Sequence, residues 1–183
     1  LLTEETARIN DSALFQIGEC WYQAREYKKA LTCYERIAQT HAPIPERPAA
    51  LFHTGSCAIE LGDYAKAREF LKILVHEYPE YRQTRQGRYL LGEAIYRDAR
   101  TRQWGSSPLV ELEELTTCLK ELIEKYPSSK EAEESYTLIS QAIREVTDTL
   151  NARGQYDLAR RTYAHLVGRS EEHTSELQSP SVI

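Results

Sequence analysis

The sequence predicts an all-α protein built as an array of about four helical hairpins. Its composition, with 41% hydrophobic and 28% charged residues, is that of a globular chain. Glycines recur at Gly18, Gly55 and Gly92, which gives a repeat of 37 residues. In each repeat, apolar residues follow helical spacing on both sides of a short break. A repeat of this length is typical of helical hairpins that bury their apolar faces against their neighbours.

The first unit, residues 10–43, contains two predicted helices. Ile17 and Trp21 lie one helical turn apart in the first of them. The pattern breaks near Arg25 and resumes at Ala30. We therefore expect a hairpin with a short turn near Arg25.

The second unit, residues 47–80, repeats this pattern with a Gly-Asp turn at Gly62. Gly55 in its first helix and Ala67 in its second occupy the same positions as the small residues of the first unit. Small residues at fixed places suit a crossing where two helix backbones approach closely. We therefore expect Gly55 and Ala67 to lie where the two helices cross.

The third unit, residues 84–128, is longer than the second. Measured from the repeat glycine to the closing proline, it has eleven additional residues, which surround Trp104. Ser107 and Pro108 fit a helix cap and a first helical position, so the second helix is predicted to begin there. We expect the insertion to lengthen the first helix and its loop.

The fourth unit, residues 129–168, begins with another long predicted helix. Gly154 and Ala159 then restore the turn and the second-helix pattern of the earlier units. The helical repeat domain is therefore predicted to cover residues 1–168.

The last fifteen residues, 169–183, do not continue any of these patterns. The run "RSEEHTSELQS" is identical to the in-frame translation of a common short-read sequencing adapter over eleven residues. A segment of that origin is excluded from reasoning about the fold. We therefore expect residues 169–183 to be a non-native tail.

The repeat pattern resembles the tetratricopeptide repeat, in which Leu-Gly, an aromatic residue, a turn, Ala and a second aromatic residue precede a closing Pro. The lengthened units and the Tyr-Pro endings at Pro79 and Pro127 are similar to those of bacterial cell-envelope members of this family. Those members are the outer-membrane assembly lipoproteins and the periplasmic Tol-Pal coordinators. The envelope similarity implies a location in the cell envelope or periplasm, and the cytoplasm is the alternative. The residues that carry the family match in the first two units are Leu14, Ile17, Gly18, Trp21, Tyr27, Ala30, Tyr34, Leu51, Gly55, Gly62, Tyr64, Ala67, Leu71 and Pro79.

The resemblance implies a right-handed superhelix whose concave groove is lined by the first helix of each unit. That groove is the predicted binding site for a segment of a partner protein. Packing between neighbouring first helices is an alternative role for the aromatic residues Phe15, Phe52 and Tyr89. The convex side and the insertion around Trp104 are the next candidate surfaces. The predicted groove residues are Phe15, Glu19, Tyr22, Phe52, Ile59, Glu60, Tyr89, Glu93 and Tyr96.

The predicted function is therefore that of a protein-binding scaffold, without enzymatic activity, a catalytic site or a cofactor. Net charge is −5 with both signs interspersed, so no nucleic-acid partner is expected. The histidines lack metal-ligand spacing, which predicts no metal site. No apolar run reaches the roughly 18 residues of a membrane span. Two alternatives stay open, an architectural spacer and an accessory repeat domain of a larger enzyme.

Overall fold

The computed structural model describes residues 2–40, 44–162 and 164. In these residues the chain forms eight helices and no strand, which confirms the predicted all-α helical repeat fold. The predicted tail, residues 169–183, lies outside the described residues. None of the described helices is both long enough and apolar enough to cross a membrane. The helices are α1 (Leu2–Gln23), α2 (Tyr27–Ala38), α3 (Arg47–Glu60), α4 (Tyr64–Glu77), α5 (Thr84–Thr101), α6 (Pro108–Lys125), α7 (Lys130–Ala152) and α8 (156–162).

The helices follow one another as four hairpins, α1–α2, α3–α4, α5–α6 and α7–α8. From α1 to α7, each helix packs against the next one along the chain. In addition, α5 packs against α3 and against α7, which are the first helices of the neighbouring hairpins. The first helices therefore lie on the inner side of the array, and the second helices lie on its outer side.

The repeat glycines lie where the two helices of a hairpin cross. A methyl group added at Gly18 would lie 2.8 Å from Cε1 of Tyr34 in α2. Added at Gly55 it would overlap Leu71 in α4, and at Gly92 it would overlap Leu119 in α6. The crossing predicted from the small residues is therefore confirmed. Ala67, predicted at the same crossing, is fully buried.

The first helix of each hairpin ends in the same backbone conformation. The residue after the helix C-cap has a positive φ at Arg25 (59°), Gly62 (75°), Gln103 (51°) and Gly154 (73°). The amide of the following residue donates a hydrogen bond to the carbonyl five residues earlier in the chain. In the first hairpin this bond joins the Glu26 amide to the Trp21 carbonyl at 2.9 Å. This is the Schellman ending, which satisfies carbonyls that the helix leaves without a partner. Gly is the residue that adopts this conformation without strain, so Arg25 and Gln103 are strained.

Replacing Arg25 with Gly should raise the free energy of unfolding by about 0.5–1 kcal/mol, because the relief of strain exceeds the added entropy of the unfolded chain. Urea unfolding of the two proteins measures the difference. Arg25→Ala keeps the Cβ atom and should give no such gain. If Ala stabilised as much as Gly, the side chain rather than the backbone would be responsible.

The insertion in the third hairpin lengthens both of its helices. Aligned on the crossing residues, α5 extends four residues beyond the end of α3, and α6 begins four residues earlier than α4. The loop, 102–107, has three more residues than the turn 61–63, which accounts for the whole insertion. The first helix and the loop are longer, as expected, and the second helix is longer as well. The third hairpin is one helical turn, or about 6 Å, taller at its turn end.

Ion pairs join the outer helices of neighbouring hairpins. Glu35 in α2 lies 3.0 Å from Nζ of Lys66 in α4. In the next interface, Nζ of Lys72 in α4 lies 2.8 Å from Glu114 in α6. Arg68 also donates to Glu114, at 2.8 Å. The outer side of the array is therefore held by charge pairs that differ between interfaces.

Candidate functional site

The nine predicted groove residues lie on α1, α3 and α5, along the inner side of the array. We call the surface that they form the concave face. Each helix contributes three of these residues, and most of them occupy equivalent positions in the repeat. Their side chains differ in exposure, and this decides which of them a partner could reach.

The α1 residues gather around a histidine of the second hairpin. The ring of Phe15 meets Tyr34 edge-on, with centroids 5.4 Å apart. Tyr22 is half-buried and lies edge-on to His53, at 5.3 Å. The Glu19 carboxylate accepts a hydrogen bond from the Tyr34 hydroxyl and lies 3.4 Å from Nε2 of His53. These side chains join the first two hairpins on the concave face.

His53 is the centre of this cluster and was not among the predicted site residues. Its ring stacks on Tyr34 at 5.0 Å and meets Phe52 edge-on at 5.3 Å. Only 14% of its side chain is exposed. Its Nδ1 atom is buried and has no hydrogen-bond partner among the described residues. Its position could have identified it as a site residue, because it follows Phe52 on α3 and lies on the side of the helix that faces the first hairpin.

The free energy of unfolding should fall as the solution becomes acidic, because His53 is buried. Burial lowers the pKa of His53, and the Glu19 carboxylate opposes that shift only in part. The unfolded chain therefore binds this proton more readily, so the contribution is fully present above a pH of about 6.5 and is lost as the pH falls through the lowered pKa. Thermal melting between pH about 7.5 and about 5 should show a larger decrease for the wild type than for His53→Gln. Equal decreases would show that other groups are responsible.

The α3 residues divide into a buried pair and an exposed acid. Phe52 and Ile59 are each 5% exposed. Phe52 packs towards α5, since a methyl group added at Gly87 would lie 3.7 Å from its ring. Glu60 is exposed and has no ion pair with a described residue. Phe52 and Ile59 thus form part of the core, and Glu60 is the accessible residue of α3.

The α5 residues are mostly engaged within the chain. Tyr89 is half-buried, and Glu93 pairs with Arg97 one turn along the helix, at 2.6 Å. Tyr96 is 6% exposed, and its hydroxyl donates to Glu145 of α7 at 2.8 Å. Burial and this hydrogen bond raise the pKa of Tyr96. Tyr96 therefore joins the third and fourth hairpins.

Trp104, in the insertion, is part of the same junction. It is 2% exposed, and its Nε1 donates to Glu145 at 3.2 Å. The Arg153 guanidinium donates to the carbonyl of Gly105 at 2.6 Å and holds the loop against the end of α7. The Trp104 ring is therefore not accessible to a partner, and the insertion around it stays a predicted candidate surface. Glu145 carries no repeat signal that would have revealed this contact.

The accessible part of the concave face is therefore narrower than the predicted set. Phe15, Glu19, Tyr22, Tyr89 and Glu93 are partly exposed and Glu60 is exposed, whereas Phe52, Ile59 and Tyr96 are buried. Partner binding by all nine residues stays a prediction. Among the described residues, no group of three or more His, Cys, Asp or Glu side chains is placed to hold a metal ion.

Comparisons with known proteins bear on the repeat and on the fold. Residues 21–82 match the model of the tetratricopeptide repeat family, which confirms the predicted repeat in that part of the chain. A thermophilic TPR protein of Thermus thermophilus, solved by crystallography, is similar in structure, with a TM-score of 0.52 and 22% sequence identity. The match covers 90% of this chain and 94% of that one, and at this identity it shows the fold. No curated protein matches the sequence.

Proposed function

We propose that the concave face binds an extended or helical segment of another protein that combines apolar and basic residues. Tetratricopeptide repeats generally mediate interactions between proteins, and the first helices of such arrays line the surface that they offer to ligands. The observation that carries the proposal is a half-buried aromatic residue, Tyr22, one helical turn from Glu19 on α1, with the exposed Glu60 on α3, the next first helix.

Tyr22 supplies the apolar contact. A partly exposed tyrosine offers a large contact area and loses little rotamer freedom on binding, which is why tyrosine recurs at interface hot spots. Its ring is held edge-on against Tyr27, at 5.6 Å, and against His53. The ring is therefore positioned before a partner arrives. Phe15 and Tyr89 extend the partly exposed aromatic surface along the groove.

The charges of the face set the preference for basic residues. Burial and then nearby anionic groups, Glu60 and Glu19 among them, raise the pKa of Tyr22. The same carboxylates would repel an acidic segment and attract a basic one. Glu93 is partly neutralised by Arg97, so the negative charge is concentrated on the α1 and α3 side. We place the basic residues of the partner there.

Two matched peptides test this proposal, one alternating leucine with lysine and the other alternating leucine with glutamate. We expect the lysine peptide to bind more tightly. Tyr22→Ala should weaken its binding by about 1–3 kcal/mol, and Glu60→Lys should weaken it through charge repulsion. Fluorescence anisotropy measures both affinities, and melting curves establish that each variant is folded.

Val110→Ala and Glu124→Lys are the matched controls, because both residues are exposed on the outer helix α6. They should leave the affinity unchanged. Equal losses in the control variants, or equal binding of the two peptides, would contradict the proposal. We omit Tyr96 from the test, since its loss would disturb the junction with Glu145.

A role in bacterial envelope assembly is the finer form of this proposal. It is supported by the lengthened third hairpin and by the Tyr-Pro pairs, whose tyrosines Tyr78 and Tyr126 are the C-caps of α4 and α6. Fractionation of cells that express the full-length protein tests it. Recovery in the cytoplasm would contradict it. A spacer without a ligand is the competing function, and it predicts no binding by either peptide.

A further inference from the structure

The side chain of His53 contacts two of the groups on which the proposed function rests. Its Nε2 atom lies 3.4 Å from the Glu19 carboxylate, and its ring meets the ring of Tyr22 edge-on at 5.3 Å. Glu19 and Tyr22 come from α1, whereas His53 comes from α3. One residue of the second hairpin therefore touches both a charge and the main apolar contact that the concave face offers to a partner.

The surroundings of His53 indicate which ring nitrogen carries the hydrogen of the neutral form. A hydrogen on Nε2 points towards an acceptor, the Glu19 carboxylate, whereas a lone pair there would face a negative charge. We therefore assign the neutral form with its hydrogen on Nε2. Nδ1 is then a buried lone pair that has no partner among the described residues. A second proton has to bind at Nδ1.

Uptake of this proton would change the concave face in two ways. The imidazolium would lie beside the Glu19 carboxylate and offset its charge. The new Nδ1 hydrogen would be buried without an acceptor, which costs free energy unless the ring turns towards water. Such a turn would break the stack on Tyr34 and the edge contact that holds Tyr22. The charge of Glu19 and the fixed position of the Tyr22 ring would therefore be lost together.

Glu19 is the charged group that acts on His53. The other titratable neighbours are Tyr22 on α1, Tyr34 on α2 and Cys57 one turn further along α3. Burial raises the pKa of both tyrosines and raises the pKa of Cys57 to about 12. None of the three is therefore charged in the range where histidine titrates. The pKa of His53 is affected by burial and by Glu19, and by no charged group of α4 or α5 in the described part of the chain.

This arrangement occurs at one position of the aligned repeats. Gln16 and Leu90 occupy the position of His53 in the first and third hairpins, and neither side chain titrates. The other described histidine, His76, is exposed on the outer helix α4. Among the described residues, His53 is therefore the histidine through which the concave face can respond to pH.

We propose that His53 determines the specificity of the concave face for a basic segment, and that its protonation releases that segment. The neutral ring leaves the charge of Glu19 in place and positions Tyr22, whereas the protonated ring does neither. This role rests on the proposed function, because it concerns the same face and the same class of partner. It adds the residue that sets the preference and the condition under which the partner leaves.

The test uses the full chain with the leucine–lysine and leucine–glutamate peptides, at pH about 7.5 and about 5.5, on either side of the ordinary pKa of histidine. The affinity for the lysine peptide divided by that for the glutamate peptide should fall about threefold or more in acid, as expected for the loss of one surface charge. His53→Gln should make this ratio nearly independent of pH. His76→Gln is the matched control and should respond as the wild type does. Fluorescence anisotropy measures the affinities, and melting curves at both pH values establish that each variant is folded.

A second measurement uses the wild-type chain. A ligand whose affinity depends on the protonation of His53 must in turn shift the pKa of His53 when it binds. The lysine peptide should lower this pKa and the glutamate peptide should raise it. NMR titration of the imidazole ring measures both shifts, with the His53 signals identified by their loss in His53→Gln. If His53 were only a structural residue, its pKa would be the same with either peptide.

Two results would overturn this role and leave the proposed function intact. The first is a preference for the lysine peptide that falls in acid by the same factor in the wild type and in His53→Gln. The second is a His53 pKa that neither peptide changes. Equal binding of the two peptides at neutral pH would contradict the proposed function, and the role of His53 with it.

Discussion

Replacing Trp104 with alanine is expected to lower the free energy of unfolding by about 3–5 kcal/mol. The indole is 2% exposed and lies edge-on to Tyr96, with ring centroids 6.0 Å apart. Its removal leaves a cavity between the third hairpin and α7, and it takes from Glu145 one of its two hydrogen-bond donors. Urea unfolding measures the loss.

Two further variants separate packing from hydrogen bonding at this junction. Trp104→Phe keeps an aromatic ring but removes the Nε1 donor, so it should cost less than the alanine variant. Glu145→Gln keeps the size of the acceptor and removes its charge, and it should cost about 1–3 kcal/mol through weaker bonds to Tyr96 and Trp104. A loss below about 1 kcal/mol for Trp104→Ala would show that the insertion does not hold the two hairpins together.

Replacing Gly55 with leucine is expected to cost about 3 kcal/mol or more, at the upper end of overpacking effects. Even a methyl group at this position would overlap Leu71, and leucine adds three more carbon atoms. The helices α3 and α4 would have to separate, which would disturb their contacts with both neighbouring hairpins. The thermal midpoint and the urea midpoint should both fall.

The crossing can be tested with a second substitution that makes room for the new leucine side chain. Leu71→Ala alone should destabilise by about 2–5 kcal/mol, because Leu71 is fully buried. Combined with Gly55→Leu it should cost less than the sum of the two single changes, since the new side chain fills the space that Leu71 leaves. Glu69→Leu, at an exposed position of α4, is the control and should have little effect. Strict additivity would show that the two residues do not share the crossing.

The hairpin architecture could be predicted from the sequence because it depends on local signals. Gly18, Gly55 and Gly92 mark three crossings at one period, and a side chain at any of them meets the second helix of its own hairpin. The turns near Arg25 and Gly62 follow from the interruption of the apolar pattern. Such signals need no knowledge of distant contacts.

Contacts between hairpins were harder to foresee. His53 joins the first hairpin through rings from two other helices, and Glu145 meets residues more than forty positions away in the sequence. Tyr22 and Tyr96 occupy equivalent repeat positions, yet only Tyr96 is nearly fully buried, because Trp104 packs against it. The repeat register predicts which side of a helix faces the groove. It does not predict which neighbour closes over a particular side chain.

The way in which the third hairpin is lengthened bears on how such arrays can change in length during evolution. Four residues turn a helix through about 400°, so a helix extended by four residues at its turn end directs the chain to within about 40° of its former direction. An extension of two residues would rotate the end of the helix by about 200° and would direct the chain away from the partner helix. The four residues added to each of α5 and α6 therefore let the chain leave one helix and enter the other on nearly the same sides as in the second hairpin. Insertions at the turn ends of these hairpins should therefore be tolerated in multiples of a helical turn, matched between the two helices, with the loop free to vary.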